Sequence, residues 1–85
     1  MIEIKYETLE KQFTMHLDSS KRSRMVWQVS SFHLNERAIT AISSIEKYGY
    51  SGASFVLHFS GGTKVLSYRD NETAVSWHTF IKSHM

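Results

Sequence analysis

The chain has 85 residues, ten Lys and Arg against eight Asp and Glu, a net charge of +2 and no Cys. Disulfides and thiolate metal sites are therefore excluded, and a reducing compartment fits. No apolar run approaches the ~18 residues of a membrane span, and Met1–Lys5 lacks a signal peptide's apolar segment, so a cytoplasmic location without a transmembrane segment is expected.

The length implies one domain, residues 1–85. A chain of this size buries only about 60–65% of its unfolded surface, so its stability margin is small and self-association would help. Two Trp, five Phe and four Tyr still provide enough apolar surface for a core. With no proline, the turns fall to Gly, Asn, Asp and Ser.

Ile2, Ile4, Tyr6 and Thr8 alternate with Glu3, Lys5 and Glu7, the period of a first strand. Phe13, Met15 and Leu17 alternate with Gln12, Thr14 and His16, which predicts a second. Leu9-Glu10-Lys11 reads as the short connection that pairs these two antiparallel. Residues 18–23 form a polar loop, and Met25, Trp27 and Val29 open a third strand that extends toward Leu34.

Residues 35–48 carry two conflicting signals. Ala38, Ala41, Ile42, Ile45 and Tyr48 would line one helix face between an Asn35 cap and Gly49. Against this, Ile39–Ile45 is rich in β-branched residues and Ser, which favours a strand and a hairpin through Tyr48-Gly49-Tyr50-Ser51-Gly52. The strand is the preferred reading; the helix would make the order βββαββα.

Phe55, Leu57 and Phe59 alternate with Val56, His58 and Ser60. After Gly61-Gly62, Lys64, Leu66 and Tyr68 alternate with Val65, Ser67 and Arg69. A turn centred on the two glycines predicts Phe55 opposite Tyr68, Leu57 opposite Leu66 and His58 opposite Val65. Asp70 or Asn71 then caps a helix with Glu72 in its first turn and Lys82 and His84 in its last. The sequon-like Asn71-Glu72-Thr73 is accordingly read as a helix start. Ala74, Trp77, Phe80 and Ile81 form the apolar stripe, with Trp77 as its anchor, worth about 3–5 kcal/mol on truncation to Ala. The expected fold is α+β: a twisted antiparallel sheet of five or six strands with a C-terminal helix across it.

Catalytic chemistry finds little support. His78 and His84 are six apart, not the four a helical zinc pair needs, while His16, His33 and His58 lie on separate strands. No Ser sits in a strand-to-helix elbow, and the acids Glu3, Glu7, Glu10 and Asp18 read as a solvated face and loop. Gly49-Tyr50-Ser51-Gly52 has the G-x-x-G form of KH loops, but no cation fills its centre and a strand follows, so it reads as a turn. No enzyme, metal or cofactor is expected.

Lys21-Arg22-Ser23-Arg24 is the only cationic cluster, with Trp27 close behind. Guanidinium groups pair bidentately with phosphate oxygens, and an indole stacks on bases or lies at a headgroup boundary. Tyr48, Tyr50 and Tyr68, together with Trp27, exceed what a small core needs, and such residues are enriched at interfaces. The candidate binding residues are thus Lys21, Arg22, Arg24, Trp27, Tyr48, Tyr50 and Tyr68. The expected function is a small non-enzymatic interaction module binding a protein partner or itself. The alternative is phosphate-directed binding of nucleic acid or anionic lipid through Lys21, Arg22 and Arg24, helped by Arg37, Lys47 or Lys64.

Phe55–Phe59, Leu66 and Tyr68, followed by Trp77 and Ile81 on a closing helix, resemble the end of a pleckstrin-homology domain. Lys11 and Arg22-x-Arg24 are similar to that family's phosphoinositide-binding pattern. The likeness covers about a third of the chain and implies an antiparallel barrel plugged by Trp77, and a binding module without catalysis.

Overall fold

The computed structural model describes residues 1–15 and 21–85, with backbone only for Thr14, Met15 and Lys21. It is a small α+β domain: six antiparallel strands in two sheets, with one C-terminal helix packed against them. The strands are β1 (Ile2–Met15), β2 (Lys21–Leu34), β3 (Ile39–Ile42), β4 (Glu46–Tyr48), β5 (Gly52–Phe59) and β6 (Gly62–Tyr68), followed by α1 (Asn71–Lys82). A 3-10 turn, Glu36–Ala38, enters β3 under an Asn35 cap whose side chain accepts from the Arg37 N–H. Residues 36–48 are therefore extended after this turn, as the β-branched run implies. Ser43 keeps β3 on the ladder, exchanging bonds with both backbone groups of Val56.

β5 is the central strand. One edge pairs with β3 and β4 in succession and the other with β6. Its alternation buries Ala53, Phe55 and Leu57, which join Leu66, Tyr68, Ala74 and Ile81 in the core, together with Ile4 and Leu34 from the other sheet. The β5–β6 register corrects the sequence expectation. Phe55 faces Leu66, Leu57 faces Lys64, His58 faces Thr63 and Ala53 faces Tyr68, a slip of two residues. The loop pair is Ser60-Gly61, and Gly62, at φ +141°, opens β6. A two-residue slip leaves every side chain on its own face, so the same core forms.

Two glycines shape the neighbouring β4–β5 turn. Gly49 sits at φ +65°, where a side chain would be strained. A Cβ on Gly52 would meet the carbonyl oxygens of Tyr48 and Tyr68 at 2.5 Å, a contact only glycine escapes.

The largest correction concerns the first third of the chain. Leu9-Glu10-Lys11 is not a connection, and the expected strand pair is a single strand, β1, running from Ile2 to Met15. Its partner is β2, which begins at Lys21 and so takes in the end of the expected polar loop. They pair in unbroken register from Ile2 opposite Leu34 to Met15 opposite Lys21. Fourteen residues at about 3.3 Å each make a ribbon roughly 46 Å long. The molecule accordingly measures 54 × 23 × 17 Å. Its radius of gyration is 15.8 Å, against about 12 Å for a compact chain of this length.

The sheets do not merge into a plugged barrel, because among the described residues no ladder joins the ribbon to β3–β6. Three consecutive residues attach it instead. The Ser67 hydroxyl donates to the Glu7 carbonyl and the Tyr68 hydroxyl to the Lys5 carbonyl at 2.7 Å. Arg69 Nε meets the Glu7 carboxylate at 2.6 Å. Burial, followed by the Glu7 charge, pushes the Tyr68 hydroxyl well above its ordinary pKa, so it stays a donor at any physiological pH.

Helix α1 starts as expected: the Asp70 carboxylate accepts from the Thr73 N–H at 2.7 Å. That hydrogen bond is the main reason the carboxyl lies below its usual range. The helix docks through Ala74 and Ile81, while His78 Nε2–H donates to the Ser43 carbonyl and packs edge-on against Phe55. Trp77, partly buried, packs against the core beside them and meets Phe80 edge-on.

Candidate functional site on the projecting ribbon

Residues directly opposite in an antiparallel pair share a face, and successive residues alternate. On the inner ribbon the even positions are apolar: Ile2, Ile4, Tyr6, Phe32 and Leu34 pack in or against the core. Beyond Tyr6 the apolar character crosses to the odd positions, Leu9, Phe13, Met25, Trp27 and Val29. Leu9 and Trp27, opposite each other, reach the β4–β5 turn. Trp27 lies 6.0 Å from the Tyr48 ring, and Leu9 approaches Gly49. A two-stranded ribbon twists strongly enough to carry its apolar side round in this way.

Further out on the odd face, Phe13 and Met25 keep 57% and 54% of their surface exposed, while Val29, inward of Trp27 and opposite Glu7, keeps 62%. The Lys11 ammonium sits over the Phe13 ring, 5.9 Å from its centre. The even face carries Thr8 opposite Gln28, Glu10 opposite Val26, and Gln12 opposite Arg24, with Arg22 one alternation further. Thr8 donates to the Glu10 carboxylate at 3.2 Å. Arg22 and Arg24 are exposed and make no ion pair among the described residues.

The sequence-predicted binding residues divide between three places. Arg22 and Arg24 share the outer even face, and Lys21 opens β2 opposite Met15. Trp27 and Tyr48 meet each other at the ribbon's midpoint, where both are half-buried. Tyr50 stands fully exposed at the β4–β5 turn. Tyr68 is removed from any surface: it is 1% exposed, stacked on Phe55, with its hydroxyl bonded to Lys5. The aromatic surplus is thus smaller than composition implies. Of the helper cations, Lys64 lies over the Tyr6 ring at 4.7 Å, and Arg37 and Lys47 sit on the 3-10 turn and β4, away from the arginines.

Sequence reasoning missed Phe13, Met25 and Val29 as surface residues. The available signal was the change of apolar parity between Tyr6 and Leu9, and its mirror between Val29 and Phe32.

A cleft of about 260 Å³ lies between the ribbon and the start of α1, walled by Tyr6, Val29, Tyr68 and Trp77. Of its charged groups, Glu7 holds Arg69 and Asp70 caps the helix, and Lys5 lines the same cleft. The histidines stay apart, with His33 at 3.0 Å from Glu3, His78 on Ser43 and His84 against Phe80. His16 and Asp18 lie outside the described residues. Among the described residues no three His, Asp or Glu gather as metal ligands, and no helix is long and apolar enough to cross a membrane. Compared with known families, curated proteins and solved structures, the chain matches none.

Proposed function

We propose that the protein is a non-enzymatic interaction module whose working surface is the outer half of the β1–β2 ribbon, and that its first protein partner is a second copy of the chain. One observation carries this reading: Phe13 and Met25 are more than half exposed on one face of the ribbon, beyond the Leu9–Trp27 pair. Apolar patches displayed this way on small domains mark contact surfaces. Two such faces packed against each other form an isologous interface, the commonest kind in homo-oligomers. Lys11, exposed with its ammonium over the Phe13 ring, fits at the rim.

The test is sedimentation velocity over a wide concentration range, on the natural sequence and on a Phe13→Glu, Met25→Glu variant. Concentration-dependent dimerisation abolished by the variant supports the reading. A natural chain that remains monomeric at the highest soluble concentration defeats it.

A further inference from the structure

The even face of the outer ribbon has a second chemistry, independent of the apolar contact on the odd face. Residues 11–25 hold four of the ten Lys and Arg and one of the eight Asp and Glu, a net charge of +3. The rest of the chain holds six and seven, a net charge of −1. The whole positive excess of this mildly basic protein therefore lies within residues 11–25, and the rest of the chain is slightly acidic. Arg22 and Arg24 stand on one face, unpaired among the described residues, with Gln12 directly across from Arg24 and Gln28 across from Thr8.

We propose that this face enters the major groove of duplex DNA. A B-form major groove is about 12 Å wide and admits a two-stranded β-ribbon, which is what projects here. Alternate residues along a strand are spaced about 6.8 Å, close to two base-pair steps of 3.4 Å, so Arg22 and Arg24 can stay in step with the bases. The side-chain set matches base-edge chemistry: Arg pairs bidentately with guanine, Gln with adenine, and Glu10, on the same face, accepts from the cytosine amino group. Lys11, on the opposite face, is placed for the phosphates that flank the groove. A-form RNA is the poorer fit, because its major groove is too deep and narrow for side chains to read.

The experiment is fluorescence anisotropy with a labelled mixed-sequence DNA duplex two helical turns long. Alongside it run the matching single strand, the RNA duplex and vesicles containing phosphatidylserine. The three cations Lys11, Arg22 and Arg24, brought against the duplex, displace counterions and predict a Kd that rises about 40-fold between ~50 and ~200 mM salt. Arg22→Ala with Arg24→Ala should weaken duplex binding tenfold or more and lower the logarithmic salt slope by about two. Arg22→Lys with Arg24→Lys should keep the slope and flatten the preference between duplex sequences. Circular dichroism confirms that each variant is folded. Equal binding by the natural chain and the double Ala variant overturns the proposal. So does tighter binding to the single strand, the RNA duplex or the vesicles than to the DNA duplex, or no duplex binding at low salt. Sedimentation of the natural chain separates this reading from self-association: duplex binding by a natural chain that stays monomeric sinks only the latter, and dimerisation without duplex binding sinks only the former.

Discussion

The two halves of the β1–β2 ribbon share one hydrogen-bonded ladder yet stand in opposite relation to the rest of the molecule. In the inner half, Ile4 and Leu34 belong to the same buried cluster as Phe55, Leu57 and Leu66, and the carbonyls of Lys5 and Glu7 receive the side chains of Tyr68 and Ser67. In the outer half, Phe13 and Met25 are mostly exposed and the cations Arg22 and Arg24 point into solvent. The difference teaches that pairing and burial are separable. A ladder of backbone bonds extends the ribbon past the buried core, and among the described residues the outer part is joined by β1–β2 pairing. An isolated two-stranded ribbon is marginal in water, so the outer half should open locally while the body stays folded.

The sharpest way to break the comparison is to damage the body. Phe55 is 1% exposed, stacked on Tyr68 with ring centres 5.9 Å apart and met edge-on by His78 at 5.1 Å. Phe55→Ala removes the central contact between β5, β6 and α1, and should cost about 3–5 kcal/mol. For a domain with so small a reserve, that is enough to unfold much of the population, read as loss of cooperative thermal unfolding by circular dichroism. Should Phe55→Ala melt within a degree or two of the natural chain, the core has been placed wrongly.

A smaller effect should come from the joint between the two sheets. Tyr68→Phe keeps the buried ring and deletes the hydroxyl that donates to the Lys5 carbonyl. The carbonyl then loses a partner at a partly buried position, costing about 1–2 kcal/mol by denaturant titration. Its location distinguishes this from a general core effect. Amide exchange should accelerate in β1 and β2 more than in β5. Uniform acceleration across both sheets would show that the ribbon and body are one cooperative unit instead of two regions joined at Ser67–Arg69.

The parts of this fold that could be read from the sequence are those governed by local pairing. The β5–β6 alternation, the β-branched run at Ile39–Ile45 and the Asp70 cap each express their structure within about ten residues. The β5–β6 register was displaced by two because Ser60-Gly61 and Gly61-Gly62 are both acceptable turn pairs, and an even slip preserves the faces. The ribbon was illegible for a different reason. Its apolar positions change parity after Tyr6, and within one flat strand such a change signals a break, hence the expected connection at Leu9-Glu10-Lys11. Only a strongly twisted ribbon reaching from the core to the β4–β5 turn makes both parities useful in a single strand. That is a tertiary fact about where Leu9 and Trp27 land. The candidate site followed the same division. Arg22 and Arg24 are visible as a cluster, whereas nothing in the pattern marks Phe13 and Met25 as exposed, because alternation reveals a face without revealing what covers it.

The smallest expected effect sharpens the comparison from the other side. Phe13→Ser with Met25→Ser changes two large apolar residues that would each cost several kcal/mol in a core. Here both lie mostly in solvent. The monomer's thermal midpoint should therefore move by no more than the ~0.5 kcal/mol typical of surface changes, measured at concentrations low enough to prevent association. At high protein concentration the outcome should separate from this. If the odd face is a contact surface, the natural chain gains stability by mass action as concentration rises, and the double Ser variant does not. Loss of several kcal/mol in the dilute monomer would mean that the odd face packs within the chain. The apolar residues of the outer ribbon would then serve the fold and not a partner.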